Sequence, residues 1–463
     1  MKELFASLSA LDKSAKENYN LTEELMMEHA AIGIKKEIEL RFKKGSSILI
    51  ATGSGNNGAD GFALARLLDG YYDVEIFEAL EPKSSLCKLQ KSRALSCGLI
   101  PIKNIKSKYD IVVDAIFGSG LTKTINTKIS KLITKLNSLI AFKIACDIPS
   151  GLFESGNGEC VFMSDLTVTM GAAKTALFSD FAKEFVGELV IAGLGIPQEL
   201  YKRGFKAEAY LLEKSDLLLP LRVVKSSHKC NYGHLAVFIG NKEGAGVLCG
   251  LSALSFGCGL VSLITKEKIN IPPDLMQNNV PATNTTTICI GSGLGNTLDS
   301  SELKKLAKID ADFVIDADMF YKNEIIDFIQ KGAILTPHPK EFASLLKISK
   351  FGEFTTTQIQ QMRFKLAKEF CDKYPKCTLV LKGSNTIIAN NNELFVCSLG
   401  SASLAKGGSG DVLAGLIGAL LAQRYSPLEA AKNAVLAHAL ASCGFTNNYA
   451  LTPSELIEKI KTL

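Results

Sequence analysis

The sequence predicts two α/β domains, each built on a mostly parallel sheet. Short apolar runs typical of buried strands alternate with helical segments along the chain. Each half also contains a glycine-rich loop with an aspartate in it, at residues 53–61 and 406–413. Residues 198–225 lack a long apolar pattern, so we place the boundary there and predict domains at 1–206 and 207–463.

The composition is that of a globular protein that binds small ligands. The chain has 463 residues, 47% of them hydrophobic and 21% charged, which is enough for two sizeable cores. The net charge is only +5 and no long basic run is present, so binding of nucleic acid has no electrostatic support. We expect small anionic ligands, and the apolar content favours a homo-oligomer.

Cysteine usage and the N-terminus favour a cytoplasmic protein. Twelve cysteines are scattered without a CxxC pair, and no N-terminal apolar stretch resembles a signal peptide, so we expect reduced packing thiols. The uncharged run 245–265 is long enough to span a membrane. Because Gly257 and Gly259 interrupt it, we instead expect a helix followed by a strand, and no membrane contact.

The two halves share one order of elements. In the first, an early helix containing Leu25 precedes a strand, the first glycine loop and a helix from about Gly61. The strands predicted in this half lie at 47–51, 74–77, 111–113, 141–145, 166–170 and 188–192, with a helix at 128–136. Those predicted in the second half lie at 235–239, 260–264, 287–290, 313–315, 333–335 and 378–381, and the last helices run from 411 to about 448. This order is typical of doubly wound parallel sheets.

Three loops of the first half end strands and carry oxygen-bearing side chains. They contain Asn56, Asn57 and Asp60; then Asp114 and the segment Gly118, Ser119 and Gly120; then Asp147 and Ser150. Ligands of open α/β sheets bind outside the carboxyl ends of the strands, so the loops should converge. Their oxygens suit a hard cation better than zinc. Each loop alone is weak evidence for a site, since a segment such as DIPSG is more often a structural turn. The three loops together predict a ligand-binding site.

The segments GNNGADG, VVDAIFGSGL and DIPSG resemble the NAD(P)H-hydrate epimerase domain, almost as far as Pro197. The resemblance implies a Rossmann-like three-layer sandwich in which Asp147 binds substrate and acts as acid or base. It implies further contacts with the hydrated dinucleotide from Asn56, Asn57, Gly58, Ala59, Asp60, Gly118, Ser119, Gly120, Leu121, Thr122, Lys123 and Thr124. It also implies a potassium ion held by Asn57, Asp114 and Ser150. Ala59 stands where that family usually has glycine, and a positive φ there would strain the backbone.

The second half ends its strands with another set of polar loops. They are Gly244-Ala245, 291–295, 336–341, 382–386 and the loop that ends at Asp411. A glycine-rich turn that opens a helix neutralises developing phosphate charge, and an aspartate there can take a proton from a hydroxyl. Asp411 before VLAG has this arrangement. His338 lies between two prolines and is either a turn histidine or, from its place at a strand end, a ligand contact.

From about Ser226 onwards these segments resemble the ADP-dependent NAD(P)H-hydrate dehydratase domain. The resemblance implies a ribokinase-like three-layer sandwich, with ADP as co-substrate together with Mg²⁺. It implies contacts with the hydrate from Ala245, Gly293, His338 and Asp411, with Asp411 catalytic, and nucleotide binding by Lys382, Gly383, Ser384, Asn385, Thr386 and Gly410. Lys340 replaces a common glycine, and Lys406 stands at a usually small or hydroxylated position, where we favour a solvated side chain.

Together these features predict a bifunctional repair enzyme for hydrated NADH and NADPH. The first domain would interconvert the R and S hydrates, and the second would dehydrate the S epimer with ADP. Two alternatives stay open. In one, the second domain is a small-metabolite kinase fused to a nucleotide-binding accessory domain, with a stable phosphoester as product. In the other, the first half is a non-catalytic nucleotide sensor, against which the carboxylates Asp60, Asp114 and Asp147 count.

Overall fold

The computed structural model describes residues 1–121, 124–445 and 447–463. They divide into two compact units, Glu3–Glu208 and Ala209–Leu463, and Met1 and Lys2 group with the second unit. Both units combine a parallel sheet with helices, which confirms the predicted α/β class with two domains.

Strands and helices alternate along most of the first unit. Its strands are β1 (Lys2–Phe5), β2 (Ser47–Thr52), β3 (Asp73–Glu78), β4 (Lys108–Ala115), β5 (Ile140–Cys146), β6 (Leu166–Met170), β7 (Ala173–Lys174) and β8 (Glu188–Ala192). Its helices are α1 (Ser9–Tyr19), α2 (Glu23–Arg41), α3 (Asn56–Leu68), α4 (Ser85–Ser96), α5 (Thr127–Ser138), α6 (Lys183–Val186) and α7 (Gln198–Tyr201). β1 and β7 form a parallel pair.

Six strands of the first unit form a parallel sheet in the order β3-β2-β4-β5-β6-β8. On β4, Asp114 lies opposite Ala51 of β2 on one side and Ala145 of β5 on the other. Buried side chains of these strands and of α5, among them Leu49 and Ile133, form a core. The carboxyl ends of β2, β4 and β5 are therefore neighbours at one edge of the sheet, where the polar loops begin.

The second unit repeats this alternation on a larger scale. Its strands are β9 (Ala209–Leu211), β10 (His234–Phe238), β11 (Leu260–Ile264), β12 (Met276–Asn278), β13 (Thr287–Ile290), β14 (Asp312–Ile315), β15 (Ile334–Leu335), β16 (Thr378–Leu381), β17 (Thr386–Asn390) and β18 (Glu393–Cys397). Its helices are α8 (Glu243–Ser255), α9 (Ser300–Leu306), α10 (Ile325–Lys331), α11 (Pro339–Ile348), α12 (Thr356–Gln361), α13 (Arg363–Lys373), α14 (Ser409–Ala422), α15 (Pro427–Ala441) and α16 (Pro453–Ile460).

The strands of the second unit pair in the order β12-β11-β10-β13-β14-β15-β16-β17-β18-β9. Neighbours from β12 to β16 are parallel, and β17 is antiparallel to both of its neighbours. Helix α14 is buried from Val412 to Ala422 because it packs against the sheet, α8 and α15. The loops after β10, β13, β14, β15 and β16 leave one edge of the sheet, as the parallel order requires.

The uncharged run at 245–265 is a helix followed by a strand, as predicted. Helix α8 ends at Ser255 and β11 begins at Leu260. Among the described residues, no helix is both long and apolar enough to span a membrane. The predicted start of α3 near Gly61 is wrong, because the helix begins at Asn56. Asparagine and glycine favour helices weakly, but burial of the segment overrides that preference.

All twelve cysteines are free thiols in the structure, and the reduced state in the cell stays a prediction. Eight of the twelve are buried, as packing residues should be. Cys97, Cys230 and Cys443 are exposed, so the prediction that all twelve are packing residues is wrong for these three. Cys97 is the C-cap residue of α4, Cys230 lies in a short 3-10 helix and Cys443 lies in a bend after α15.

Candidate active sites

Asn57, Gly118 and Asp147 lie together at the carboxyl edge of the first sheet. A Cβ atom placed on Gly118 would be 3.2 Å from Oδ2 of Asp147 and 3.4 Å from Oδ1 of Asn57. These residues belong to the three polar loops of the first half, so the predicted convergence of those loops is confirmed. Because glycine has no side chain, position 118 leaves the space beside the Asp147 carboxylate open.

A buried ion pair holds the Asp147 side chain. Nζ of Lys174 lies 2.6 Å from its Oδ1, which also accepts Oγ1–H of Thr169 and N–H of Met170, each at 3.3 Å. Oδ2 accepts the N–H of Ser119 at 3.3 Å. Burial alone would raise the pKa of Asp147, but the charge of Lys174 and these hydrogen bonds outweigh burial and lower it. The carboxylate is therefore ionised.

The backbone of Asp147 is left-handed, with φ of 70°. This conformation is uncommon for a residue with a side chain, although aspartate and asparagine tolerate it better than most. Asp147 follows directly after β5, and its Oδ1 bonds to Thr169 and Met170 of the neighbouring strand β6. A strained residue persists where its surroundings hold it in place, and such residues cluster at functional sites.

Two more carboxyl groups surround the Asp147 and Lys174 pair. Asp60 of α3 is buried, and burial together with the negative charge of Asp147 raises its pKa well above the usual value. Asp12 of α1 accepts a 2.6 Å hydrogen bond from the Tyr201 hydroxyl, and burial raises its pKa. The charge of Lys174 favours the ionised form of all three acids, but burial outweighs it at Asp12 and Asp60, so of the three only Asp147 has a lowered pKa.

The three predicted cation ligands differ in whether their side-chain oxygens already have hydrogen-bond partners. Asp114 is fully buried and accepts hydrogen bonds from N–H and Oγ–H of Ser150, at 2.7 and 2.6 Å. Burial raises the pKa of Asp114 to about 6 in spite of these bonds. Both polar atoms of the Asn57 side chain are buried, and among the described residues neither has a hydrogen-bond partner. A buried amide without a partner costs free energy, and a hard cation on its Oδ1 would recover part of that cost.

The remaining residues predicted to bind the hydrate lie on α3 and after β4. Those on the first turns of α3 are Asn56, Gly58 and Ala59, and those after β4 are Gly120, Leu121 and Thr124. Thr122 and Lys123 lie outside the described residues. Ala59 is part of a helix and has no positive φ, so alanine is unstrained at this position.

In the second unit, Lys382 and Asp316 form the centre of the polar edge. Nζ of Lys382 lies 2.9 Å from Oδ1 of Asp316, which also accepts the Thr336 hydroxyl at 2.7 Å. The Ser292 hydroxyl lies 3.5 Å from Oδ2 of Asp316. Burial would lower the pKa of Lys382, but the negative charges of Asp316 and Glu341 outweigh burial and raise it. The loops after four neighbouring strands thus meet at the Asp316 carboxylate.

Asp411 lies in the first turn of α14, next to this pair. Burial and the negative charge of Asp316 raise its pKa. A Cβ atom placed on Gly410 would be 3.4 Å from Nζ of Lys382. The cap residue Gly408 offers no side-chain acceptor, and within the described residues no acceptor binds the N–H groups of Gly410 and Asp411. An uncapped helix start of this kind is suited to an anion.

His338 caps α11. Its Nδ1 accepts the N–H groups of Lys340 and Glu341 at 3.2 and 3.3 Å, and its own N–H donates to Oε2 of Glu341 at 2.8 Å. Burial and the charge of Lys382 lower the pKa of its imidazole. The turn-histidine interpretation is thus correct for Nδ1, and ligand contact by the exposed ring stays a prediction.

The other predicted residues of the second unit occupy the surrounding loops. Their positions are Ala245 on α8, Gly293 after β13, Gly383, Ser384 and Asn385 after β16, and Thr386 at the start of β17. A Cβ atom on Gly293 would be 3.1 Å from that of Ala245, so these two are neighbours. The exposed Lys406 donates to the carbonyl of Tyr449 at 2.7 Å, which supports the solvated side chain over a phosphate ligand.

Lys174 and Asp316 are the site residues that sequence reasoning missed. Asp316 directly follows β14, so the rule that selected Asp147 after β5 would also have selected it. Lys174 is a charged residue inside the small and apolar run 170–177, MGAAKTAL. A lysine that interrupts such a run is a usable signal, because lysine is almost never buried without a partner.

Comparisons with known proteins agree with this division of the chain. The family model described as NAD(P)H-hydrate dehydratase matches residues 235–462, and the model of the YjeF-related protein N-terminus matches residues 23–176. The bifunctional NAD(P)H-hydrate repair enzyme Nnr of Helicobacter pylori is 43% identical over 476 residues, which cover 100% of both chains. The enzyme of the same name from Escherichia coli is 33% identical, over 85% of this chain and 80% of its own.

One solved structure is also similar to part of the chain. It is an ADP/ATP-dependent NAD(P)H-hydrate dehydratase from Bacillus subtilis, co-crystallized with ATP and Mg²⁺, and it is 26% identical with a TM-score of 0.47. The match covers 55% of this chain and 97% of that chain.

Proposed function

The chain belongs to the family of bifunctional NAD(P)H-hydrate repair enzymes, and we propose that its two sites restore hydrated NADH and NADPH in succession. The domain at 1–206 interconverts the R and S epimers of the hydrate. The domain at 207–463 dehydrates the S epimer with ADP and releases AMP and phosphate. The observation that carries the second step is the raised pKa of Asp411 at the uncapped start of α14, next to Lys382.

Dehydration becomes fast once the hydroxyl of the hydrate is a good leaving group. Asp411 takes the proton of that hydroxyl, and a raised pKa makes its carboxylate a better base. The hydroxyl oxygen attacks the β-phosphorus of ADP, and AMP leaves. The N–H groups of Gly410 and Asp411 stabilise the charge of the transferred group. Loss of phosphate, together with a proton from the neighbouring carbon, restores the double bond of NAD(P)H.

Lys382 is the side chain we assign to the phosphates of ADP. Its ammonium group is held by Asp316 at 2.9 Å, so it is oriented before the nucleotide binds. Asp316 and Asp411 also offer the carboxylate oxygens that Mg²⁺ prefers. Mg²⁺ bound with the nucleotide would supply positive charge to the phosphates, and Gly383, Ser384, Asn385 and Thr386 would line the rest of the nucleotide site. Ala245, Gly293 and His338 would contact the hydrate.

Epimerisation requires a bond to the carbon that carries the added hydroxyl group to break and to form again on the other face, and a base promotes this by removing a proton that is returned after the inversion. Asp147 is suited to this because it is ionised, and because Lys174, Thr169 and Met170 occupy only its Oδ1. Oδ2 faces the space left open by Gly118 and accepts only the N–H of Ser119 among the described residues. We assign Oδ2 as the atom that accepts and returns the proton, with the loop at 118–124 and residues 56–60 around the substrate.

A potassium ion held by Asn57, Asp114 and Ser150 belongs to the same proposal. The unpartnered buried amide of Asn57 and the buried carboxyl of Asp114 fit a hard monovalent cation. Bound there, the ion would supply positive charge that offsets the negative charge of Asp114.

We also propose a cytoplasmic, homo-oligomeric protein that binds neither nucleic acid nor membranes. The scattered cysteines, the small net charge of +5 and the high apolar content support this.

One incubation tests the function. The chain is mixed with equal amounts of R and S hydrate, ADP and Mg²⁺, and the absorbance of reduced nicotinamide is compared with AMP and phosphate counted by chromatography. We expect one AMP and one phosphate per NADH, complete recovery of both epimers, and much slower turnover with ATP. A phosphorylated hydrate that accumulates without NADH would favour the metabolite-kinase alternative. Recovery that stops at half, with the R epimer left over, would favour the non-catalytic first domain.

A further inference from the structure

A buried histidine of α15 bonds to the first residue of α14. Nε2 of His438 lies 3.0 Å from the carbonyl oxygen of Ser409 and 3.2 Å from its hydroxyl. A carbonyl oxygen can only accept, so Nε2 carries a proton and donates it. Burial lowers the pKa of His438 to about 4, so the ring is neutral at physiological pH. The neighbouring residues of α15 are apolar, so leucine at position 438 would cost less free energy to bury than histidine.

The carbonyl of Ser409 and the N–H of Gly410 belong to the same peptide group. A trans peptide is planar, so its C=O and N–H point in opposite directions. Whatever holds the Ser409 carbonyl therefore also sets the direction of the Gly410 N–H. The N–H of Gly410 lies at the uncapped helix start next to Lys382.

We propose that His438 is a positioning residue of the dehydratase site. It does not reach the reacting atoms. Its hydrogen bond to the Ser409 carbonyl aims the N–H of Gly410 at the transferred phosphoryl group and sets the first turn of α14, from which Asp411 projects. The inference rests on the proposed dehydration, and it adds a residue on another helix to that mechanism. Because the ring is neutral, it orients the peptide group without adding a positive charge, which would slow the release of phosphate.

Two substitutions separate the hydrogen bond from packing. His438→Phe fills the space without a donor, and His438→Gln keeps an N–H at a similar reach. For the full chain we expect His438→Phe to lower kcat of the ADP-dependent dehydration by about tenfold or more, since losing one aimed donor costs up to about 100- to 1000-fold. KM for ADP should change less than about threefold, because the donor acts mainly on the transferred group. His438→Gln should recover at least half of the lost rate, and epimerisation should be unchanged in both.

Either of two results overturns the proposal: a His438→Phe variant with the kcat of the original chain, or a His438→Gln variant as slow as His438→Phe. An original chain without ADP-dependent dehydration would instead overturn the proposed function itself. Should His438→Phe fail to fold, ¹⁵N NMR of the histidine-labelled original chain decides. We expect the Nε2–H tautomer for His438 and no protonation down to about pH 5. The Nδ1–H tautomer would contradict the hydrogen bond.

Discussion

Nζ of Lys174 lies 2.6 Å from Oδ1 of Asp147, and both side chains are almost fully shielded from solvent. Lys174 ends β7, and Asp147 follows β5. Both charges have lost most of their hydration, so each depends on the other for compensation. The ion pair thus couples the stability of the first unit to the ionisation of the residue that we assign to proton transfer.

Removal of one partner should cost far more stability than removal of both. Lys174→Met or Asp147→Asn alone leaves one buried charge without compensation, at a cost of about 3–5 kcal/mol. The double variant should recover most of that loss. Thermal melting of the four proteins in one buffer checks this. If the double variant loses as much as the two single losses added together, the pair is not coupled as described.

Asp147→Asn should also leave the R hydrate unrepaired. Asparagine tolerates the left-handed backbone at this position but cannot accept the proton. With ADP present, proton NMR of a mixed hydrate sample should show the S epimer consumed at the original rate and the R epimer remaining. The measurement needs conditions in which spontaneous epimerisation is slow. Equal disappearance of both epimers would exclude Asp147 as the acid or base.

Asp411→Asn should abolish dehydration and spare epimerisation. The amide cannot take the hydroxyl proton, and loss of a general base typically costs about 100- to 10,000-fold in rate. We expect NADH formation with ADP to fall by this factor while NMR still shows R and S hydrates interconverting. The epimerisation rate serves as the control for folding. Loss of both activities would contradict two independent sites.

The cation site can be tested by stability as well as by rate. Potassium should raise the melting temperature of the first unit over that in tetramethylammonium, because an ion that binds only the folded state stabilises it. The gain should disappear in Asn57→Leu, which has no side-chain oxygen. In tetramethylammonium this variant should melt no lower than the original chain, because it also removes an unpartnered buried amide. Equal melting and epimerase rates in both salts would exclude the ion.

Asp60→Asn should raise the melting temperature of the first unit by an amount that grows with pH. The pKa of Asp60 is raised in the folded chain. Its stability cost is therefore absent at low pH, where the carboxyl is protonated in both states, and builds up from the unfolded pKa of about 3.9 to the folded pKa. Asparagine removes this cost. Melting at pH 4, 6 and 8 should show the smallest gain at pH 4, and a gain independent of pH would contradict the burial of a titrating group.

Much of the fold could be predicted because local signals agree with tertiary packing. The glycines at 257 and 259 separate α8 from β11. Asp114 and Asp147 lie at the carboxyl ends of β4 and β5, which are neighbours in the sheet. The start of α3 could not be predicted, because helix propensity is poor there and burial decides.

The sequence alone could not predict which side chains from different elements contact each other. Lys174 is 27 residues from Asp147, and His438 is 29 residues from Ser409. Nothing in either local pattern names the other residue. Such contacts depend on how β7 packs against the turn after β5 and how α15 packs on α14, which only the assembled core determines.

Selection for heat resistance alone would act against Asp147. A glycine there would relieve the strain of the left-handed backbone. The glycine would leave the Lys174 ammonium group buried without a partner, and an apolar residue at position 174 would remove that group. Libraries screened only for survival at high temperature should enrich Asp147→Gly together with such a change at Lys174. The selected variants would be more stable and would no longer catalyse epimerisation. Aspartate in this backbone conformation therefore lowers the stability of the chain in exchange for the proton transfer that we assign to it.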